Sequence, residues 1–233
     1  CLRSALTFML AAVQGSQPAV TREAYANLPG VRIWYKDTGG AGIPVVLMHA
    51  ATGSSQVWEH QIPAFTAAGY RVIAYDRLGW GRSVMDSTSP KPGSAANDLQ
   101  ALMEYLHVDR FHLVATAAGG SVSLDYAVSF PQHLRSVVIA NGALGGLQDE
   151  QYQALGQRIR SPQLDALAAE LRELGPSYRA ANPEGTRRWI ELERMSRPAG
   201  PPAPPQPAQN RITVSILETM RVPLLFITGD ADL

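Results

Sequence analysis

The chain has 233 residues, 45% of them hydrophobic and 17% charged, which suffices for one α/β domain with a substantial core and is too apolar for a disordered segment. Twenty basic and twenty acidic residues cancel to zero net charge, and no block of one sign stands out, so neither a nucleic-acid footprint nor a polybasic membrane patch is present. The single cysteine, Cys1, excludes an intrachain disulfide and a cysteine-based metal site.

In chain order, Arg3 precedes an apolar run from Ala5 to Val13, followed by small and polar residues, with Val13 and Gly15 at the −3 and −1 positions of a cleavage site. Residues 1–19 are therefore expected to be a signal segment, which makes the protein secreted or periplasmic. The alternative is a cytoplasmic protein whose first helix packs on the domain. The run is too short to span a bilayer. A start at Cys1 and a stop at Leu233 directly after "VPLLFITGDADL" read as those of a fragment.

Val31–Tyr35 and Val45–His49 are expected strands, the second apolar throughout, as a strand buried on both faces requires. A Gly/Ser loop leads to a helix over Gln56–Ala68, and Arg71–Asp76 is the next strand. Ala95–Leu106 places Leu99, Leu102, Met103 and Leu106 on one helical face. Phe111–Ala115 reads as a strand, Ala118–Phe130 as a helix ended by Pro131, and Leu134–Ala140 as a strand. This alternation predicts an α/β fold with a mostly parallel central sheet flanked by helices.

The alternation stops near Leu144 and no strand pattern returns before Glu218. Gln148–Arg158 and Leu164–Leu174 read as helices, and Asn182 caps a further helix with Pro183 at its first position. "RPAGPPAPPQP", Arg197–Pro207, favours an extended connector. The sheet resumes at Val222–Thr228. The expected organisation is a signal segment (1–19), a first core part (20–143), an inserted helical cap (144–218) and a second core part (219–233).

Three stretches, "LMHAATGSSQVWEHQIPAF", "VIAYDRLGWGRS" and "LVATAAGG", in this order within the strand–helix alternation, resemble the α/β-hydrolase family, and the likeness runs over Gly30–Leu233. The resemblance implies a His-Gly type loop after the family's third strand, an Asp-x-x-Gly-x-Gly-x-Ser loop after its fourth, and a nucleophile elbow. The elbow needs small residues two before and two after the reacting position, because that position is strained between strand and helix. Ala115 and Gly119 satisfy this around Ala117, which stands where the family carries serine. Taking Thr116 as the nucleophile puts Val114 where a small residue is needed. Ser121, one helical turn on, reads as a helix serine bonded to a backbone carbonyl.

The same resemblance implies an oxyanion hole from the backbone N–H of Ala118 and of Ala50 or Ala51. It implies Asp232 as the catalytic acid, with Asp230 as runner-up, and a histidine beyond Leu233. His49 is expected to brace its loop, and with Trp58, Tyr178 and Trp189 it is a candidate pocket residue. Asp76 and Arg77 are expected to fix their own loop. His60, His107, His112 and His133 lack metal-ligand spacing, and Gly79-x-Gly81 lacks the third glycine of a dinucleotide fingerprint. No cofactor and no metal are expected, and the partner is a small-molecule substrate or ligand. Three functions stay open: a hydrolase of esters, lactones or related bonds that has lost its serine, a serine-independent His/Asp catalyst, and a binding protein.

Overall fold

A computed structural model of the chain describes residues 20–86, 93–142, 146–159, 162–198 and 203–229. The expected signal segment, Asp230 and Asp232 lie outside the described residues.

Eight strands form one sheet: β1 (Arg22–Leu28), β2 (Val31–Asp37), β3 (Pro44–Met48), β4 (Arg71–Tyr75), β5 (Val84–Met85), β6 (Phe111–Thr116), β7 (Leu134–Ala140) and β8 (Leu224–Ile227). The order across the sheet is β1-β2-β4-β3-β6-β7-β8, with β5 paired to β2. From β4 onward neighbours are parallel, whereas β1, β4 and β5 each pair antiparallel with β2. The mostly parallel α/β sheet is the one expected from the sequence. Val46, Leu47 and Met48 on β3 are fully buried, as its uninterrupted apolar run requires.

Helices α1 (Gln61–Ala67), α2 (Ala95–Tyr105) and α3 (Ala118–Ser129) lie between consecutive strands of this core. Ser94 caps α2, its Oγ accepting from the Asn97 N–H at 3.1 Å, and the helix turns Leu99, Leu102 and Met103 into the core. Alternating Phe111, Leu113 and Ala115 on β6 face the same cluster, together with Leu124 and Tyr126 of α3.

Between β7 and β8 the chain leaves the sheet for α4 (Glu150–Ile159), α5 (Pro162–Asp165), α6 (Ala169–Glu173), α7 (Pro176–Ala181), α8 (Pro183–Ser196) and α9 (Val214–Thr219). Asn182 caps α8, its Oδ1 accepting from the Gly185 N–H at 2.8 Å. From Ala203 a described strap without regular structure runs back across α2 and α3. Gln206 donates to Asp98, while the backbone N–H groups of Gln209 and Asn210 share the Asp125 carboxylate.

The structure departs from the sequence expectations in four places. β1 was not anticipated: "REAYANL" is polar on its outer face and becomes a strand by pairing with β2 along its whole length. β5 is only two residues long, too short for any periodicity to show. The helix expected over Gln56–Ala68 splits, because Ser55 is pinned to Asp76 and forms a 3₁₀ turn (Ser55–Trp58) before α1 begins. The helix expected over Leu164–Leu174 divides into α5 and α6, with Ala168 extended at ψ 149° where α6 opens.

Candidate active site

β6 runs into α3 through a single residue, Ala117, at φ 45° and ψ −120°. A positive φ on a residue with a Cβ stores on the order of 1–3 kcal/mol of strain, retained only where the surroundings enforce it. Here they do. The Ala117 N–H donates to the Ala140 carbonyl at 3.1 Å and the Ala117 carbonyl accepts from the Gly120 N–H at 2.8 Å. A Cβ on Gly119 would stand 2.7 Å from the Met48 carbonyl oxygen and 2.8 Å from that of His49, so the start of α3 is pressed onto the end of β3. A Cβ on Gly142 would overlap the Ala117 backbone. Small residues are therefore a packing requirement on both sides of this turn.

The end of β3 continues into a loop organised by His49, which is completely buried. Its Nδ1 donates to the Ala50 carbonyl at 2.7 Å and its Nε2 accepts from the Arg77 backbone N–H at 3.0 Å, which fixes the neutral tautomer. Burial, and then the Arg77 charge, pull its pKa down to about 3, against a smaller opposing effect of the Ala50 carbonyl. At neutral pH this imidazole holds two loops together and exchanges no proton.

The loop after β4 is built on Asp76, also fully buried. Its carboxylate accepts from the Ser55 N–H at 2.8 Å, the Ser55 hydroxyl at 2.6 Å and the Arg82 N–H at 2.9 Å. Ser83 Oγ donates to the Asp76 carbonyl and accepts from the Trp34 N–H, returning the chain to the sheet. Gly81, at φ 53°, has no room for a Cβ against the Asp76 carboxylate. Between the glycines, Trp80 Nε1 donates to the Ala51 carbonyl at 2.6 Å.

The elbow and the His49 loop thus adjoin. Ala118 opens α3, so its N–H has no intrahelical acceptor, and it lies at the positive end of the helix dipole. Ala50 and Ala51 have their carbonyls engaged by Gly53 and His49, and by Trp80, and among the described residues no loop hydrogen bond uses their N–H groups. The Ala118 N–H together with that of Ala50 or Ala51, beside a strained turn, can hold a developing oxyanion.

The remaining sequence-selected residues do not gather here. Trp58 is buried in a second apolar cluster with Val45, Leu47, Val72 and Ala74. Tyr178 is 44% exposed and takes a 3.3 Å hydrogen bond from Asn182, and Trp189 is half-buried on α8. The helix back-bond expected of Ser121 is made by Ser123, from Oγ to the Gly119 carbonyl at 2.9 Å. A cavity of about 420 Å³ opens instead beneath the strap, walled by Arg77, Trp80, Val122, Pro204, Pro205 and Gln206 among others, and neither Ala117, Ala118 nor the Ala50/Ala51 loop lines it. Sequence reasoning missed it because the proline-rich segment reads as a connector. The available signal was a tryptophan between two glycines, where an aromatic side chain has no packing reason to be.

Among the described residues no cluster of His, Cys, Asp or Glu is arranged to hold a metal ion, and no helix is long and apolar enough to cross a membrane.

A family model described as alpha/beta hydrolase fold matches residues 43–190, well over half of the chain. The protein belongs to the alpha/beta hydrolase fold family. It is 34% identical over 122 residues to a 2-hydroxy-6-oxononadienedioate/2-hydroxy-6-oxononatrienedioate hydrolase of Paraburkholderia phymatum, covering 50% of this chain and 42% of that protein. It is 32% identical over 149 residues to the hydrolase of the same name from Burkholderia vietnamiensis, covering 59% and 51%. The chain thus spans about half the length of these curated relatives. Among solved structures, Est816, described as an N-acyl homoserine lactone degrading enzyme, superposes with a TM-score of 0.68 at 24% identity over 90% of this chain and 83% of its own. A hydrolase from Pseudomonas aeruginosa superposes at 0.66 with 22% identity, over 89% and 80%. At these identities the structural likeness establishes the fold.

Proposed function

We propose that the protein is a hydrolase-like member of this family acting on a small ester, lactone or related bond, with Ala117 in the place of the nucleophile. The observation that carries this reading is the backbone of Ala117: φ 45° and ψ −120° at a strand-to-helix turn is a costly conformation that alanine has no reason of its own to adopt. That backbone supports the reading of Ala117 as a position meant to present a reacting side chain. Relatives named as 2-hydroxy-6-oxononadienedioate/2-hydroxy-6-oxononatrienedioate hydrolases support hydrolysis as the class of reaction.

In this reading the N–H groups of Ala118 and of Ala50 or Ala51 hold the oxyanion that forms when a carbonyl is attacked. Asp232 orients the histidine implied beyond Leu233, and the helices between β7 and β8 form a cap that shields the substrate. His49 has no share in proton transfer. A second reading draws on the same residue. A methyl group cannot attack, so substrate activation by a His–Asp pair acting on water, or binding without chemistry, is the natural activity of the unmodified turn.

Loss of the hydroxyl alone costs a serine hydrolase about 10⁶ in turnover, and roughly 10³–10⁴ over water remains from the oxyanion hole and binding. The test is covalent labelling by a serine-directed fluorophosphonate, applied to the longest natural form of the protein. The unmodified protein is expected to stay unlabelled and Ala117→Ser to label at that position, with mass spectrometry reading the site. Labelling at Thr116 or Ser121 in the unmodified protein overturns the placement of the elbow. An Ala117→Ser variant that folds and stays inert removes the serine-derived reading and leaves the second.

A further inference from the structure

Arg77 is unusual among the cations of this chain. The residue is 6% exposed, yet neither Nε nor Nη2 has a hydrogen-bond partner, and no carboxylate pairs with it among the described ion pairs. Three other charged groups of the core are partnered. Arg71 forks onto Asp37 at 3.0 and 2.6 Å, and Arg82 Nε donates to Asp76 Oδ2 at 3.5 Å while its guanidinium stacks on Trp34. Asp98, on α2 beside the cavity wall, is engaged by Gln206 Nε2 at 2.7 Å. The contact that holds the Arg77 guanidinium is the face of Trp80, 4.3 Å from the ring centroid. A buried cation with open donors is costly unless an anion completes it.

Arg77 is one of the residues lining the cavity beneath the strap, and the rest of that wall is largely apolar: Leu78, Val122, Ala95 and prolines. About 420 Å³ is the volume of a site for a small organic molecule. Nε and Nη2 form the side edge of the guanidinium, the edge whose parallel N–H pair matches the two oxygens of a carboxylate.

We propose that this cavity binds a small monocarboxylate with an apolar body, the carboxylate on the Nε–Nη2 edge of Arg77 and the body against Trp80, Val122 and the strap prolines. That edge is covered in the unliganded chain, so binding requires the guanidinium to turn over the Trp80 face toward the cavity. Burial alone holds the Arg77 pKa down to about 10, the direction an approaching anion reverses. The site is separate from the elbow but tied to it, since the Arg77 N–H is bonded to His49 and Trp80 Nε1 to Ala51.

The inference does not rest on the proposed activity, and binding alone tests it. Phenylacetate and its neutral counterpart phenylacetamide, titrated calorimetrically into the whole chain, fill the same volume and differ in charge. Phenylacetate is expected to bind at least about tenfold more tightly, the least that a charge-assisted pair contributes. Arg77→Met should abolish that preference with the circular dichroism unchanged. Val122→Phe, which fills the cavity from α3 and leaves Arg77 in place, should weaken both probes, and it decides the matter if Arg77→Met fails to fold. Equal binding of acid and amide, no binding of either, a preference that survives Arg77→Met, or indifference to Val122→Phe each overturns the proposal.

Discussion

The loops at the ends of β3, β4 and β6 and the helices between β7 and β8 are built on opposite terms. At the strand ends the polar groups are buried and multiply bonded: Asp76 holds three donors, His49 bridges two loops, and Gly119 leaves no space for a single carbon. In the helical segment α4, α6, α7 and α9 bury no residue, and apolar side chains stay in solvent, with Ile159 at 62% and Leu171 at 40% exposure. That segment meets the core through Tyr152, Val214 and Leu217, which pack on its main cluster, and through polar fastenings: Ser196 accepting from the Gly81 N–H at 2.7 Å, Arg188 on Glu59, and the strap on Asp98 and Asp125. In the proposed reading the first kind of structure holds the reacting groups in place and the second is the cap over them.

The largest expected effect breaks the rigid side of this contrast. Asp76→Ala leaves the Ser55 N–H, the Ser55 hydroxyl and the Arg82 N–H facing a buried void, and should cost about 3–5 kcal/mol in urea unfolding. That is a large share of the stability of a typical domain, about 5–15 kcal/mol. Asp76→Asn, which keeps an acceptor, should cost clearly less. A loss for Asp76→Ala no greater than that of a surface substitution would mean the strand-end loops are not the rigid part.

The rigid side was also the legible one. Continuous apolar runs such as Val45–Met48, the small residues around Ala117 and the glycines of the Asp76 loop are local requirements of burial and steric room, so they are written into consecutive residues. The positions of Ala50, Ala51 and Ala118 followed from a resemblance in those same stretches. β1 could not be read this way, because a polar edge strand depends on its partner and not on its own pattern. Neither could the cavity, which forms only when residues near 77–80, 122 and 203–206 meet in space. Trp58, which looked available for a pocket, is held in the core by the return of the β3 loop.

A second effect sharpens the contrast at a joint between the two regions, where strap residue Gln206 meets core residue Asp98. Burial raises Asp98 from its ordinary 3.8 to about 6, against a smaller lowering by the Gln206 bond, while burial and Arg77 lower His49 from 6.5 to about 3. A raised carboxyl contributes stability below its unfolded value that is lost as pH rises toward 6. A depressed histidine contributes stability above 6.5 that is lost as pH falls toward 3. Between pH 6 and 4 the unfolded chain carries a proton on the histidine and the native chain one on Asp98, so the two slopes cancel. Asp98→Asn removes one of them and keeps an acceptor for Gln206. Relative to the unmutated chain, its stability should fall by about 1.4 kcal/mol per pH unit, roughly 2–3 kcal/mol from pH 6 to 4, when denaturation is followed at each pH. Parallel pH profiles for the two proteins would show that one of these groups is not buried as described.

The smallest effect concerns the fastening of α8. Arg188 forks onto Glu59 through Nε at 3.1 Å and Nη2 at 2.6 Å, and its Nη1 reaches Glu191 at 2.6 Å. The geometry is bidentate and holds the Glu59 carboxyl below its usual range, chiefly through the Arg188 hydrogen bond. Yet the Arg188 side chain is 41% exposed, so water and salt compete for both charges, and ordering two long side chains consumes much of the gain. Arg188→Ala should therefore leave the urea midpoint of the whole chain indistinguishable from that of the unmutated protein. What it should change is local. Amide hydrogen exchange along Pro183–Ser196 should quicken, while exchange in β3, β4 and β6 stays as it was, and 1 M salt should reproduce part of the effect without mutation. Faster exchange in both regions together, or a global loss approaching that of Asp76→Ala, would show that the helices and the sheet open as one unit. Silence in both would place the fastening of α8 on the Ser196 carbonyl and the Gly81 N–H, a backbone bond that no side-chain substitution removes.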